Sequence, residues 1–115
     1  MAEIDRPKLS FPYGFDERDA IESEERGYFG QAVVELPSGL RVKVCFYDPV
    51  RLSQDLETMQ ESGEACLAEA GLIILPSVTR EYMEKAVQQL YGRRYFEGLV
   101  PLTESPNGVP GGGPQ

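Results

Sequence analysis

Two apolar segments on either side of a three-residue turn constrain this chain more than any other feature. The segments are residues 30–36 and 40–46, and Pro37-Ser38-Gly39 separates them. Residues directly opposite each other in an antiparallel pair of strands point to the same face of the sheet. A three-residue loop therefore puts the large apolar side chains of both segments on one face. The expected opposite pairs are Leu36 with Leu40, Val34 with Val42, Ala32 with Val44, and Gly30 with Phe46.

A two-residue turn at Ser38-Gly39 is the alternative, and it would set Val34 opposite Lys43. That register mixes apolar and charged side chains on both faces and loses the buried stripe. The longer loop also suits its residues, because Pro37 fits the second position of a type I turn and Gly39 can adopt the left-handed conformation that follows. The sequence therefore predicts a β-hairpin with one apolar face.

Two helices are predicted after the hairpin. Asp48 is a favourable N-cap and Pro49 a favourable first helical residue, which indicates a helix over 50–62. Thr79 is a favourable cap for a second helix that ends near Gly92. Their predicted buried stripes are Leu52, Leu56 and Met59 in the first helix and Met83, Ala86, Val87 and Leu90 in the second.

Two further strands complete the predicted fold. The continuous apolar run at 72–75 is typical of a strand covered on both faces, and residues 94–100 indicate a last edge strand that ends at Pro101. We therefore expect an α+β fold of order β-β-α-β-α-β, with two layers, a mixed and mostly antiparallel sheet, and both helices packed on one face. The side chains expected to be mostly buried are Leu36, Leu40, Val42, Val44, Phe46, Leu56, Met83 and Leu90.

The rest of the chain flanks this domain, which we place at 14–101. Residues 1–13 are predicted as an extended lead-in, in which Leu9, Phe11 and Tyr13 alternate as in a short edge strand. Residues 16–26 contain six acids and two arginines, and they fit either an exposed helix capped by Asp16 or a solvated loop. Residues 102–115 are rich in proline and glycine and predict a disordered tail.

Composition narrows the classes of protein. The chain has 115 residues, enough for one domain, and a net charge of −8 that opposes binding to nucleic acid or to an anionic membrane. No apolar run approaches the roughly 20 residues that span a bilayer, and the polar start is unlike a signal peptide, so we expect a cytoplasmic protein. Cys45 and Cys66 lack CxxC spacing and are expected to be reduced thiols.

Catalytic signatures are weak. The sequence contains no histidine, no phosphate-binding loop and no calcium-binding loop, so we expect neither enzymatic activity nor a cofactor. Three weaker possibilities are Glu69 as an acid or base, Cys45 as a nucleophile beside Arg41 and Lys43, and a loosely held divalent ion at 16–25. For each of them, an ordinary structural or surface role is the stronger interpretation.

Two surfaces are candidates for binding a partner. The first is the cluster at 91–96, where aromatic and guanidinium groups occur together as they do at binding hot spots. The second is the sheet face opposite the apolar stripe, which also carries Val33 and Cys45 and which no helix need cover. The predicted partner-binding residues are Tyr91, Arg93, Arg94 and Tyr95 in the first and Arg41, Lys43 and Tyr47 in the second.

These observations favour a small acidic interaction domain that binds another protein or itself as a homodimer. One specific form is an inhibitor or antidote of a basic protein, which residues 16–25 would engage by charge complementarity. An alternative is a small-molecule-binding domain or histidine-independent enzyme with a pocket between the sheet and the helices. A second alternative is an accessory domain whose role is subunit assembly.

Overall fold

A mixed sheet with helices around it forms the fold. The computed structural model describes residues 6–102. The strands are β1 (Lys8–Ser10), β2 (Tyr28–Glu35), β3 (Arg41–Tyr47) and β4 (Leu72–Ile74), and the helices are α1 (Glu17–Arg26), α2 (Pro49–Glu61) and α3 (Arg80–Gly92), followed by a short 3₁₀ helix (Tyr95–Gly98). The predicted α+β class with a mixed sheet is confirmed.

The strands lie side by side in the order β1-β2-β3-β4. The first three are antiparallel, whereas β4 runs parallel to β3. Parallel neighbours need a crossover connection, and α2 with the loop after it provides one between β3 and β4. The two edges of the described sheet are therefore β1 and β4.

The hairpin of β2 and β3 has the predicted register over most of its length. Val34 lies opposite Val42 and Ala32 opposite Val44, and the N–H of Leu36 donates to the carbonyl of Leu40 at 2.8 Å. Gly39 has a φ of 99°, the left-handed conformation that the three-residue loop requires. The predicted register of this part of the hairpin is confirmed.

The predicted pair of Gly30 with Phe46 is wrong. The register shifts between Phe29 and Ala32, so that Phe29 lies opposite Phe46 and Tyr28 opposite Tyr47. One extra residue on β2 is the signature of a β-bulge. The bulge replaces a glycine by an aromatic side chain on the core face, where Phe29 packs against the buried cluster.

The core lies between the apolar face of the hairpin and α3. Its buried side chains are Leu9, Ala32, Val34, Val42, Val44, Phe46, Ile73, Leu75, Val78, Met83, Val87 and Phe96. Leu36 and Leu90 are half-buried at its border. The expectation that Leu40 and Leu56 are buried is wrong, because Leu40 (49% exposed) lies beside the turn and Leu56 (41% exposed) is on α2, which does not cover this cluster.

The two predicted helices contact different faces of the sheet. Met83 and Val87 of α3 pack with Val44 and Phe46 on the core face. Arg51 of α2, in contrast, lies over the ring of Tyr28, which faces the opposite side. The expected packing of both helices on one face is therefore not what the structure has. The parallel β3–α2–β4 crossover carries α2 across the other face, while α3 returns over the core.

Residues 94–100 do not form the predicted last strand. Arg94 has a left-handed φ of 62°, and the 3₁₀ helix begins directly after it. A strand would point Tyr95 and Phe96 to opposite faces, whereas the 3₁₀ turn packs both against the core, with their ring centroids 5.3 Å apart. The N–H of Leu102 then donates to the carbonyl of Arg41 at 2.6 Å.

The structure of the N-terminal region answers two questions from the sequence: whether residues near Leu9 form a strand and whether residues 16–26 form a helix or a loop. The edge strand predicted around Leu9 is present as β1, although it ends at Ser10. The acidic segment is a helix, α1, and a capping box between Asp16 and Asp19 begins it. The predicted tail lies outside the described residues, apart from Leu102. Within residues 6–102, no helix has the length and apolarity needed to cross a membrane.

We expect Val44→Asp to unfold the domain. Val44 is fully buried in the cluster, and an unpaired buried carboxylate should lower the free energy of unfolding by more than about 3 kcal/mol. Val50→Asp is the matched control, because Val50 is exposed in the first turn of α2, where a negative charge is favourable. Thermal melting followed by circular dichroism tests both, and a Val44→Asp variant that melts like the parent would refute this packing.

We expect Gly71→Ala to destabilise the protein more than Gly63→Ala. Both glycines have a positive φ, so each substitution carries a backbone strain of about 1 kcal/mol. A Cβ at Gly71 would also clash with the backbone carbonyl of Lys43, whereas a Cβ at Gly63 meets open space. Urea denaturation of the two variants measures the difference, and equal losses would contradict the close approach of residue 71 to β3.

Candidate interaction surfaces

Tyr47 is buried on the face that the sequence predicts to be open. Its ring lies 4.9 Å from that of Tyr28, and its hydroxyl is hydrogen-bonded to Asp55 of α2. Asp55 also pairs with Arg51 at 3.0 Å. Burial and the bond to Asp55 raise the pKa of Tyr47 to about 12. Only 6% of Tyr47 is exposed, so it serves to hold α2 against the sheet.

Cys45 and Glu69 lie close together beside the contact between Tyr47 and α2. Sequence reasoning singles out each of them separately, and the loop before β4 brings the Glu69 carboxylate to the Cys45 thiol. Burial and this carboxylate raise the pKa of Cys45 to about 11. The thiol is therefore protonated at neutral pH and has none of the thiolate character that a nucleophile needs. Both cysteines are free, with Cys66 exposed.

The predicted open sheet face is consequently smaller than expected. Val33, Cys45 and Tyr47 are all buried, which contradicts the expectation that no element covers them. Arg41 and Lys43 remain at the surface, and Arg41 lies 3.7 Å from Glu35. Their role in partner binding stays a prediction, whereas Tyr47 has no surface to offer.

The residues of the aromatic and basic cluster at 91–96 lie in different environments, some against the core and others at the surface. Tyr95 and Phe96 pack into the core, and burial raises the pKa of Tyr95. Arg94 pairs with Glu97 at 3.1 Å. Tyr91 and Arg93 are exposed at the end of α3. Of the four residues predicted there, Tyr91, Arg93 and Arg94 therefore keep the exposure that a partner-binding role needs, although Arg94 is also held in its pair with Glu97.

Many acids of α1 are already engaged within the helix. Asp16 and Asp19 form the capping box, and the backbone N–H of Asp19 lowers the pKa of Asp16. Glu22 pairs with Arg18 at 3.3 Å and with Arg26 at 3.5 Å. Among residues 6–102, no three acidic or cysteine side chains gather as metal ligands would. Engagement of a basic partner by this segment stays a prediction.

A groove between β4 and α3, here called the α3 groove, has a different character. Its cavity volume is about 360 Å³. The strand side contributes Ile73, Ile74, Leu75 and Pro76, and the helix side contributes Tyr82, Lys85, Ala86, Gln89, Leu90 and Arg93. Ile74 is 52% exposed and Tyr82 is 42% exposed, so both offer apolar surface to a partner. The groove thus combines accessible apolar surface with two cations.

The charges of the α3 groove are unpaired. Ion pairs to acidic side chains occupy Arg18, Arg26, Arg41, Arg51, Arg80 and Arg94. Lys85 and Arg93 form no ion pair with any residue that the structure describes. Arg6, Lys8 and Lys43 share this property but do not line the α3 groove. In a chain of net charge −8, two uncompensated cations beside apolar surface indicate a place for an external negative charge.

A second apolar depression, the hairpin groove, lies between the β2–β3 turn and the C-terminal end of α3. It has a volume of about 430 Å³, and Leu36, Leu40, Tyr91 and Leu99 are among its lining residues. Its charged lining group is Glu97, which already pairs with Arg94. The hairpin groove therefore offers apolar contacts without an uncompensated charge.

Sequence reasoning missed Ile74, Tyr82 and Lys85. Ile74 belongs to a run predicted to be covered on both faces, and the helix residues lie off the apolar stripe of α3. One available signal was Pro76, because a proline directly after a short strand is typical of a sheet edge. No family model, curated protein or solved structure matches this chain.

Alkaline pH is expected to destabilise the fold through Cys45 and Tyr47. Above about pH 9 the thiol and then the phenol ionise in the unfolded chain, while the folded state keeps both protons. The unfolded state then binds fewer protons, so stability falls as pH rises towards the folded pKa values of about 11 and about 12.

Tyr47→Phe isolates one of these groups. We expect it to lower the free energy of unfolding by about 1 kcal/mol near neutral pH, because the bond to Asp55 is lost. We also expect a shallower decline of stability between about pH 9 and about pH 11 than in the parent. Urea denaturation across this range measures both effects, and parallel pH profiles of the two proteins would rule out the assignment to Tyr47.

Proposed function

We propose that this chain is a protein-interaction domain whose partner binds in the α3 groove. The observation that carries the proposal is the combination of exposed Ile74 and Tyr82 with unpaired Lys85 and Arg93 along one groove. Apolar and aromatic side chains supply most of the binding energy at protein interfaces, and complementary charges set selectivity and association rate. In the α3 groove, Ile74 lies on the strand rim, on the sheet face of Tyr47, while Tyr82, Lys85 and Arg93 lie on the helix side.

A small-molecule or catalytic role has less support. The alternative places a pocket between the sheet and the helices, and Met83 and Val87 fill the space between the sheet and α3 with fully buried side chains. Cys45 and Tyr47 are buried and keep their protons at neutral pH, so neither side chain is open to a substrate. A shallow groove at the rim of the sheet suits a polypeptide better than a ligand that needs enclosure.

Self-association competes with a separate partner. Two copies of net charge −8 repel each other at a distance, although a local contact can overcome this. The cations of the α3 groove attract a partner that is acidic where it touches. We therefore favour a different protein over a second copy, and light scattering across a range of concentrations measures the mass that decides between them.

Ile74→Glu is expected to abolish partner capture, whereas Leu40→Glu is expected to preserve it. Both substitutions replace an apolar residue that is about half exposed, so the change in chemistry is matched and only the groove differs. The immobilised parent and both variants are incubated with extract of the native host, and the retained proteins are quantified by mass spectrometry. We expect at least one protein retained by the parent and by Leu40→Glu to fall about tenfold with Ile74→Glu.

Each result of this comparison has a meaning. Circular dichroism first confirms that both variants fold like the parent. Loss with Leu40→Glu alone would move the interface to the hairpin groove and overturn the proposal. Equal retention by all three proteins would also overturn it, because binding would then not depend on the exposed apolar surface of Ile74.

A further inference from the structure

We infer that the α3 groove binds an extended acidic segment of the partner, which adds a fifth strand to the sheet along β4. This inference rests on the proposed function and specifies the form of its partner. Strand addition at an exposed sheet edge is a recurrent mode of peptide recognition, in which main-chain bonds supply affinity and side-chain contacts supply specificity. Three features of the groove support it.

The first feature is the outer edge of β4, which pairs with no other strand among the described residues. The N–H of Cys45 donates to the carbonyl of Gly71 at 3.0 Å, and the N–H of Leu75 donates to the carbonyl of Tyr47 at 2.8 Å. Backbone groups alternate along a strand, so residues 71, 73 and 75 face β3 and residues 72 and 74 face away. Since the N–H of Leu72 bonds to Glu69, the outer edge offers the carbonyl of Leu72 and both groups of Ile74.

The second feature is the helix that runs beside this edge. A strand added to β4 would point alternate side chains towards α3 and the others towards the Ile74 side of the sheet. Ala86, Leu90 and Leu75 form the apolar floor on the α3 side. Every second residue of the bound segment therefore faces this floor.

The third feature is the spacing of the two cations. Lys85 lies in α3, and Arg93 is the residue that directly follows the helix, eight positions later. Their Cα atoms are therefore about 12 Å apart along the axis of α3. Four residues of an extended chain span about 13 Å, and residues four apart on a strand share a face. The favoured segment thus has two acids four residues apart, with an apolar residue midway between them that meets the floor.

The opposite edge of the sheet also has unpaired cations within the described residues, because Arg6, Lys8 and Lys85 line the depression between β1 and α3. Its strand is less suited to pairing with a further strand. Pro7 and Pro12 bracket β1, and the side chains between β1 and α3 include the Arg80–Glu84 ion pair. Proline and charge at an edge discourage further strand pairing. At β4 only Pro76 interrupts the edge, which keeps the ladder short and leaves recognition to the side chains of the groove.

A phage-displayed library of random peptides tests the inference directly. We expect peptides selected on the parent protein to converge on two acids four residues apart with an apolar residue between them. The consensus peptide is then synthesised with a fluorophore, and its dissociation constant is measured by fluorescence anisotropy. We expect Lys85→Glu combined with Arg93→Glu to weaken binding at least about tenfold.

Two controls separate charge and backbone effects. Arg6→Glu combined with Lys43→Glu makes the same change in net charge at two other unpaired cations, and it is expected to leave the affinity within about twofold of the parent. Two further peptides test the backbone hydrogen bonds to β4. Each carries one methylated backbone nitrogen, and the two methylated residues are neighbours in the sequence. Only one of the two N–H groups faces β4, so one peptide should lose binding and its neighbour should keep it.

The outcomes distinguish this inference from the proposed function. One outcome would overturn strand addition and leave the α3 groove as a docking surface. In that outcome, binding is lost with Ile74→Glu but is unchanged by the double charge reversal in the protein and by methylation of either peptide nitrogen. A helical spacing of the selected residues would have the same consequence. Failure to select any peptide, or selected peptides that bind Ile74→Glu as well as the parent, would overturn this inference and count against the groove itself.

Discussion

The contact between the apolar face of the β2–β3 hairpin and α3 is the interaction on which the rest of the structure depends. Val34, Val42 and Val44 are fully buried there, and Met83 and Val87 close over them. Because side chains alternate along a strand, a shift of one residue would turn this whole stripe towards solvent. The register also sets where β1 and β4 pair, so both edges of the sheet follow from it.

While α3 covers the core face, the parallel pairing of β4 with β3 determines that the other face is covered by α2. The crossover from β3 to β4 carries α2 over Tyr28 and Tyr47, and Asp55 fixes it there by a hydrogen bond. A face that looks free for association in the sequence is thereby used internally. Accessible apolar surface is left instead where α3 runs beside β4, at Ile74 and Tyr82.

The proposed site thus results from the position of β4 at the edge of the sheet, and its side chains are suited to binding an acidic partner. A strand at the end of a sheet has main-chain groups to share, and a helix beside it supplies side chains that can select among partners. In this protein most arginines of the described region are held in local ion pairs, which leaves Lys85 and Arg93 as the charges of the groove. Affinity and selectivity would then come from different parts of one surface.

The sequence by itself determined the elements whose signals are local. Alternation and turn chemistry specified the hairpin up to Ala32, and the caps at Asp48 and Thr79 specified where two helices begin. Only the tertiary structure decided the bulge at Phe29, the separation of the helices onto two faces, and the 3₁₀ turn at 95–98. These depend on which side chains of distant segments compete for the same buried volume, and no window of neighbouring residues contains that information. The α3 groove belongs to this second group, because its residues meet only after β4 takes its place at the edge of the sheet.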